Sequence, residues 1–560
     1  MSSGRVSIRR VANARRRLRW LQASSLFGGL LVPAAFACAQ TLPPVPLPGA
    51  SQAEALAFPA SAGSQPESAS LPVSRPNTYL VPSVTVLATQ TSNANLGTNS
   101  GSHSDTILDV MPRVFLQSSH ARWQVQGDLT LHGLVYAQGT NSDVVAPSGD
   151  AKLHSEWMPG FLYLDAGFNA YQSAISPYVG QTGPVQGAQY TTMQWRLSPY
   201  VRKQITPSLQ FLARSDDTWT HVSNTPTQGG VYGGRYLDQT LRLEQRPQTL
   251  GYLLQAEQTY ATYNSEAYAW LRDTTLRAMV DLAATPQLVL GVIGGHEKVQ
   301  AFDSQVNASI YGLHTEWKPG AYASLDATIE HRYFGTGWQV AADAGSQAAR
   351  LRLGWRRDVS SALSPLGNGG NTTGGNIGDV LNALLTTQYP DPLQRVRAVQ
   401  DLLGSAGLPY DLSTSGNFYT ATSVLQNNLV LTGLLIHVRD SVAVSLYRNR
   451  VEDLYLPGQQ ALQLLQTNSS NLVQTGVAVN YAHRLTPLDN LSFTLQREND
   501  DGFGVSQGLS ARTKSLIVQL DHRMSPSTIG LIGVRRQLLS STQVQGGTES
   551  ALFAGLVHRF

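Results

Sequence analysis

Apolar and polar residues alternate along most of this chain with a period of two. Between positions 123 and 138, Trp123, Val125, Gly127, Leu129, Leu131, Gly133, Val135 and Ala137 alternate with Gln124, Gln126, Asp128, Thr130, His132, Leu134, Tyr136 and Gln138. Successive side chains of a strand point to opposite faces, so this spacing predicts a strand with one apolar and one mostly polar face. The dyad returns at 191–202, where Met193, Trp195, Leu197 and Val201 oppose Gln194, Arg196, Ser198 and Arg202. It returns again at 323–333, where Ala323, Leu325, Ala327 and Ile329 oppose Ser324, Asp326, Thr328 and Glu330. Alternating segments of about ten residues suit strands that cross a membrane. Strands of a soluble sandwich usually run only about five or six.

The turns sharpen this expectation. Short connections bearing Pro or Gly, such as Met158-Pro159-Gly160, Thr206-Pro207, Arg246-Pro247, Thr285-Pro286, Lys318-Pro319-Gly320, Thr486-Pro487 and Ser525-Pro526, alternate with long polar ones. The long connections fall near 138–150, 174–189, 222–232, 298–307, 452–472 and 499–510. A membrane barrel has tight turns at one rim and long loops at the other; a sandwich has no reason to segregate them. Strands then begin near 79, 105, 123, 151, 161, 191, 208, 236, 251, 271, 287, 309, 322, 337, 348, 428, 441, 474, 490, 513, 528 and 549. The expected fold class is therefore all-β: a transmembrane antiparallel β-barrel of about 22 strands, with one long, partly helical loop. Both ends of an even-stranded barrel lie on the short-turn side. The final segment fits, because Leu552, Ala554, Leu556, His558 and the terminal Phe560 share one face.

Charge changes the picture only at the beginning. The chain has 40 Lys and Arg against 37 Asp and Glu. Seven of those Arg (5, 9, 10, 15, 16, 17 and 19) fall in the first 39 residues, which hold no acid, so the remainder carries 33 − 37 = −4. No basic footprint for nucleic acid survives. Residues 1–39 read as a signal peptide: a basic stretch, an apolar run from Trp20 to Phe36, and Ala37-Cys38-Ala39 as a small-residue cleavage site. Cleavage after Ala39 would remove the sole cysteine, so disulfides play no part in the expected fold. Residues 40–77, rich in Pro, Ala and Ser, read as a periplasmic linker, and 78–560 as the barrel. The longest later apolar stretch, Leu429 to Val438, is about half of what a membrane-spanning helix requires.

Residues 360–424 interrupt the dyad. Asn368 to Gly378 is rich in Gly and Asn and reads as flexible. Asp391-Pro392 then starts a helix, with Asp as N-cap and Pro in the first turn. Leu393, Val396, Val399, Leu402 and Leu403 form its apolar stripe, and Gly404 and Gly407 end it. Strand parity places this insertion at the long-loop rim. It either folds into the lumen as a gate, with Leu393, Val396 and Leu402 as the candidate gating residues, or caps the outside.

Catalytic signatures are missing from the sequence. The twelve His form no His-x-His or His-Glu-x-x-His, so no metal site is expected, and there is neither a Gly-x-Ser-x-Gly elbow nor a phosphate-binding loop. No enzyme activity and no cofactor are expected. Charged residues on a lipid face are costly, so those on the polar parity of the strands should line the lumen. The candidates are Arg196, Arg202, Arg214, Arg242, Arg277, Arg332, Arg352, Asp128, Asp238, Asp281, Asp326 and Glu330. They would either pair with one another across strands or form a selectivity lining for a solute.

Several segments resemble one family. Pro82-Ser83-Val84-Thr85-Val86, Leu197-Ser198-Pro199-Tyr200-Val201-Arg202, Glu330-His331-Arg332-Tyr333-Phe334-Gly335, and Tyr389-Pro390-Asp391-Pro392 leading to Gly407-Leu408-Pro409 carry the resemblance. It is to the outer-membrane β-barrel proteins associated with PEP-CTERM/exosortase exopolysaccharide systems of Gram-negative bacteria, and it covers most of the chain after residue 78. It implies a place in the outer membrane and a link to exopolysaccharide production or export, with no catalytic residue to carry over. Expected partners are outer-membrane lipid, polysaccharide and periplasmic export components. Two functions stay open: a channel or gated pore for exopolysaccharide, and a non-conducting barrel that anchors an envelope complex. A 22-stranded transporter with an N-terminal plug fits less well, because only about 38 residues separate the signal from the first strand.

Overall fold

The computed structural model describes residues 78–560 except 97–98, 100, 175, 179–188, 224–232, 265–269, 302–303, 321, 347, 365–376, 386–387, 390–393, 397, 400–401, 404–407, 409–411, 413–422, 455 and 457–470. The expected signal peptide and linker lie outside the described residues.

Twenty-two strands follow one another in the described chain. The first eleven are β1 (Thr78–Thr91), β2 (Asp105–Ser119), β3 (Trp123–Tyr136), β4 (Val144–Met158), β5 (Leu162–Ala174), β6 (Gln189–Gln204), β7 (Leu209–Ser223), β8 (Gly234–Gln245), β9 (Leu250–Tyr263), β10 (Trp270–Thr285) and β11 (Leu288–Ala301). The rest are β12 (Ser304–Gly320), β13 (Ala323–Arg332), β14 (Gly335–Gly345), β15 (Ala349–Ser360), β16 (Val424–Ile436), β17 (Asp440–Asp453), β18 (Leu472–Arg484), β19 (Asp489–Gly502), β20 (Ser510–Arg523), β21 (Thr528–Ser541) and β22 (Gly547–Arg559). The helix α1 (Ile377–Leu384) lies between β15 and β16. Each strand pairs antiparallel with the next, and β1 pairs with β22 from Ser83↔Arg559 to Thr91↔Ala551. The sheet is closed, so it has no free edge.

Closure turns the two-residue period into an inside and an outside. On β10, exposed Leu276, Ala278, Val280 and Leu282 alternate with buried Thr275, Arg277, Met279 and Asp281. The exposed row repeats around the barrel, as in Leu290 and Val292 of β11, Leu446 of β17 and Leu552 of β22. Apolar side chains on the outside and polar ones inside invert a soluble protein and suit a barrel in lipid. Among the described residues no helix is long and apolar enough to cross a membrane.

The rims differ as the turns predict. Connections at one rim are two to four residues long, such as 159–161, 205–208 and 286–287. The other rim carries the longer ones, up to the insertion at 361–423. Four details differ from expectation. The connection near 298–307 is only residues 302–303, because the alternation of β11 and β12 continues into it. The connection at 333–334 is equally tight. β4 begins at Val144 and β16 at Val424, several residues earlier than their apolar patterns suggest, because backbone pairing with β3 and β15 extends the ladders. Finally, α1 begins at Ile377, inside the stretch read as flexible.

The two faces should respond oppositely to charge. Leu129→Arg, on the exposed face of β3, is expected to lower unfolding free energy in a lipid bilayer by about 2–4 kcal/mol. Gln126→Arg, on the lumen face of the same strand, should cost well under half of that. Urea titration of the two folded variants in liposomes checks the difference.

Candidate functional site: the occupied lumen

The inward-facing charges are mostly paired with one another. Arg214 on β7 is 5% exposed and holds Asp165 of β5 at 2.9 Å and Asp216 at 2.8 Å. Arg277 reaches past two strands to Glu330 at 3.2 Å and lies 3.7 Å from Glu257. Gly312 lies beneath this contact, where a Cβ would collide with the Ile329 carbonyl oxygen and come within 3.0 Å of Glu330 Cγ. Arg332 binds Asp273 at 3.1 Å, Asp358 at 3.0 Å, and the fully buried Glu297. Arg242 pairs with Glu244 at 2.8 Å, Arg352 with Asp343 at 3.1 Å, and Asp128 with Arg113. Arg202 lies over the Tyr163 ring at 4.8 Å. Asp238 faces Asp216 in register, and Asp326 faces Glu316. Buried Arg196 directs Nε and Nη1, and Asp281 its Oδ1, to positions without a hydrogen-bond partner among the described residues. Arg-carboxylate pairs spanning neighbouring strands brace a wide barrel from within.

The wall of β16 to β19 is different. Gln426 donates to Asn449 at 3.0 Å, Asn449 to Gln474 at 3.1 Å, and Gln474 to Glu498 at 3.4 Å. Nearer the short turns, Asn480 donates to Thr494 at 2.9 Å. Thr432 Oγ1, Ser445 Oγ and Asn480 Oδ1 are buried without a hydrogen-bond partner among the described residues. This wall is mainly neutral amide and hydroxyl, opposite in character to the charged wall of β5 to β15.

The insertion lies against that neutral wall. Ile377, Val380 and Leu381 of α1 are at most 1% exposed. They form one apolar cluster with Leu385, Val399, Leu403, Leu408 and Leu412 of the insertion and with Leu434, Ala443 and Ala478 of β16, β17 and β18. Leu384, Leu402 and Ile436 pack against its margin. Those strand residues face inward and sit toward the short-turn rim. From Val424, where the chain re-enters the wall, to Leu434 is ten residues, or about 33 Å at 3.3 Å per residue. That length runs along a tilted strand and is shorter along the barrel axis, but the insertion still enters at the long-loop rim and packs on lumen-facing residues toward the short-turn rim, inside the barrel and not as an external cap. Helical residues recur at 394–396, 398–399 and 402–403, within the stretch after Asp391-Pro392 where the sequence predicts its one helix. Arg395 ties it to α1, donating to Asn382 Oδ1 at 2.7 Å and to the Tyr389 carbonyl at 3.2 Å. Of the candidate gating residues, Leu402 packs against the cluster, Val396 is half-buried away from it, and Leu393 lies outside the described residues.

Three further segments cross the long-loop mouth. Leaving β15, Leu363 packs on Val222, Ala261 and Tyr263 of β7 and β9. A Cβ on Gly234 of β8 would lie 2.7 Å from Leu363 Cδ1. Gln194 and Tyr263 hold this segment, at 3.1 Å to the Ala362 carbonyl and 2.7 Å to Ser361 Oγ. Tyr178, between β5 and β6, lies among Val424, Val451 and Leu472, up to eleven strands away in a ring of 22, on the opposite wall. Its hydroxyl donates to the Asn471 carbonyl at 2.9 Å, and burial raises its pKa above the ordinary phenol value. Leu456, between β17 and β18, packs on Val299 and Ala301 of β11.

These groups do not make a catalytic relay. His154, Asp165 and Ser198 are neighbours on β4, β5 and β6, but Asp165 stands between the other two, and the Ser198 hydroxyl donates to Asp216 instead of to a base. Among the described residues no group of His, Cys, Asp and Glu could hold a metal ion. Glycines around α1 mask its signal in the sequence, although Ile377, Val380, Leu381 and Leu384 show helical spacing. Tyr178 and Leu363 carried no local signal.

Two substitutions test the arrangement. Arg332→Gln leaves Glu297 buried without its cation and should destabilise the barrel by about 3–5 kcal/mol, read by denaturant unfolding. Leu381→Ala should loosen the insertion by about 2–5 kcal/mol. Proteolysis within 365–420 should then accelerate while the strands stay protected.

No family model matches the chain, and no curated protein matches it. Among solved structures it is similar to the siderophore receptor PirA from Acinetobacter baumannii, with 9% identity over 87% of this chain and 81% of that one, at a TM-score of 0.45. It is similar to the FrpB iron transporter from Neisseria meningitidis (F5-1 variant), with 9% identity over 86% and 82% and a TM-score of 0.42. OccK1 (OpdK) from Pseudomonas aeruginosa is matched with 8% identity over 86% and 99%, at a TM-score of 0.32.

Proposed function

We propose that this chain is an outer-membrane barrel through which a hydroxyl-rich polymer passes during exopolysaccharide export, and that the insertion between β15 and β16 gates it. The observation that carries the reading is the docking of α1 on Leu434, Ala443 and Ala478, deep in the lumen. A segment that enters from the long-loop rim and packs near the short-turn rim obstructs the path between them. The exposed apolar rows support a membrane setting. The amide and hydroxyl wall of β16 to β19 supports the choice of cargo, because it offers donors and acceptors to sugar hydroxyls without strong charge. The link to exopolysaccharide itself rests on the sequence resemblance. The reading assigns no catalysis to the chain, and its partners are outer-membrane lipid, the polymer and periplasmic export components. A non-conducting barrel that anchors an envelope complex is the second reading, favoured by the three segments that cross the mouth.

Single-channel recording in a planar bilayer separates the two. The full chain should be silent or open rarely, and a variant lacking 365–420 should show large discrete steps. Silence of both proteins, each verified as folded by heat-modifiable migration, would overturn the gated pore and leave the anchor.

A further inference from the structure

On β17, β19 and β20 the exposed apolar rows give way to cations toward the long-loop rim. On β19 the outward row runs Leu491, Phe493, Leu495 and then Arg497. On β20 it runs Leu520, Val518, Leu516 and then Lys514, with Arg512 one outward position further toward the long loops. β17 follows the same order, from Leu446 to Arg448. All four basic residues are exposed.

Arg497 and Lys514 face each other directly across the β19–β20 ladder. Like charges opposite one another destabilise a sheet. Several other outward cations have partners on the chain: Arg235 pairs with Asp217, Arg450 lies 2.5 Å from Glu452, and Arg272 and Arg357 lie over the rings of Tyr260 and Trp338. Arg448, Arg497, Arg512 and Lys514 have no ion pair among the described residues; the outward acids near them are Asp501, at the rim of β19, and Glu452 of β17, which Arg450 already holds. The repulsion calls for an anion from outside the chain.

We infer that this face binds the phosphates of a lipid headgroup in the leaflet at the long-loop rim. The occupant must be anionic at the level of Arg497 and Lys514 and apolar below it, because the cations continue straight from the exposed apolar rows. A phosphorylated lipid meets both demands, with acyl chains on Leu495 and Leu516 and phosphates on the cations. Arginine suits a phosphate through paired N–H donors, and both side-chain types carry an apolar stem that lies along lipid while the charge reaches the headgroup. A soluble acidic protein would leave those apolar rows without a partner. The inference rests on the membrane placement proposed above but not on conduction, because all four cations lie outside the lumen.

The test compares the full-length folded protein with the triple variant R497Q/R512Q/K514Q in nanodiscs containing bisphosphorylated lipid A, lipid A stripped of both phosphates, or neither. Lipid retained after purification is counted by native mass spectrometry. The unaltered protein should retain the bisphosphorylated lipid, the triple variant at least about tenfold less, and neither should retain the stripped lipid. Arg235→Gln, which alters a cation already paired, should retain it fully. Equal retention by the triple variant, no retention by the unaltered protein, or equal retention of the stripped lipid would overturn the inference. So would displacement of the lipid by an equimolar amount of inorganic phosphate, which would mark a site for free phosphate alone. Heat-modifiable migration shows that the triple variant is folded, and unchanged conductance behaviour separates this outcome from any failure of the pore.

Discussion

The return of β22 to β1 is the constraint on which the rest of the structure depends. A strand surrounded by hydrocarbon has no water to satisfy its N–H and C=O groups, so every one must find a partner in another strand. An open sheet fails at its two edges, whereas the pairing from Ser83↔Arg559 to Thr91↔Ala551 leaves none. Once the sheet is closed, side-chain parity has only two destinations. The odd or even set that carries Leu276, Val280 and Leu282 faces out, and the set that carries Arg277 and Asp281 faces in.

Closure at 22 strands also creates a difficulty that smaller barrels lack: an interior too wide for side chains from the wall to fill. Three devices answer it here. Arginines on β7, β10 and β13 each bind two or more carboxylates and brace the wall. Segments around Tyr178, Leu363 and Leu456 cross the mouth and bury an apolar side chain on another part of the wall. The insertion supplies an apolar core of its own, centred on Val380, Leu381 and Leu403, against the small side chains Ala443 and Ala478. That last contact is hydrophobic and non-directional, and it involves no strand-to-strand pairing.

The barrel was legible in the sequence because its two signals are local. Alternation over ten residues declares a two-faced strand, and a Pro or Gly turn every second connection declares the rims. The strand number, the parity of Arg277 and Asp281, and the outward row of β22 follow from those signals alone. The choice between lumen and cap was not legible. A stripe such as Val399 and Leu403 shows that a helix has an apolar face but not what covers it, and its cover, Leu434, Ala443 and Ala478, lies on three strands further along the chain. The same holds for Tyr178, whose partners Val424, Val451 and Leu472 are remote in sequence. The two tight connections at 302–303 and 333–334 were harder for a different reason: polar residues that extend a strand beyond the membrane look like loop residues.

The gated lumen depends on where the insertion lies, and the most direct measurement of that is a cross-link. Leu384 and Ile436 both flank the buried cluster without being fully enclosed, one on α1 and the other at the short-turn end of β16. Cysteines introduced at these two positions in the full-length, membrane-inserted protein should be joined in high yield by a short bifunctional thiol reagent. No cross-link, together with free labelling of the Leu384→Cys thiol by an impermeant reagent added at the long-loop side, would contradict the account and place the insertion outside the barrel.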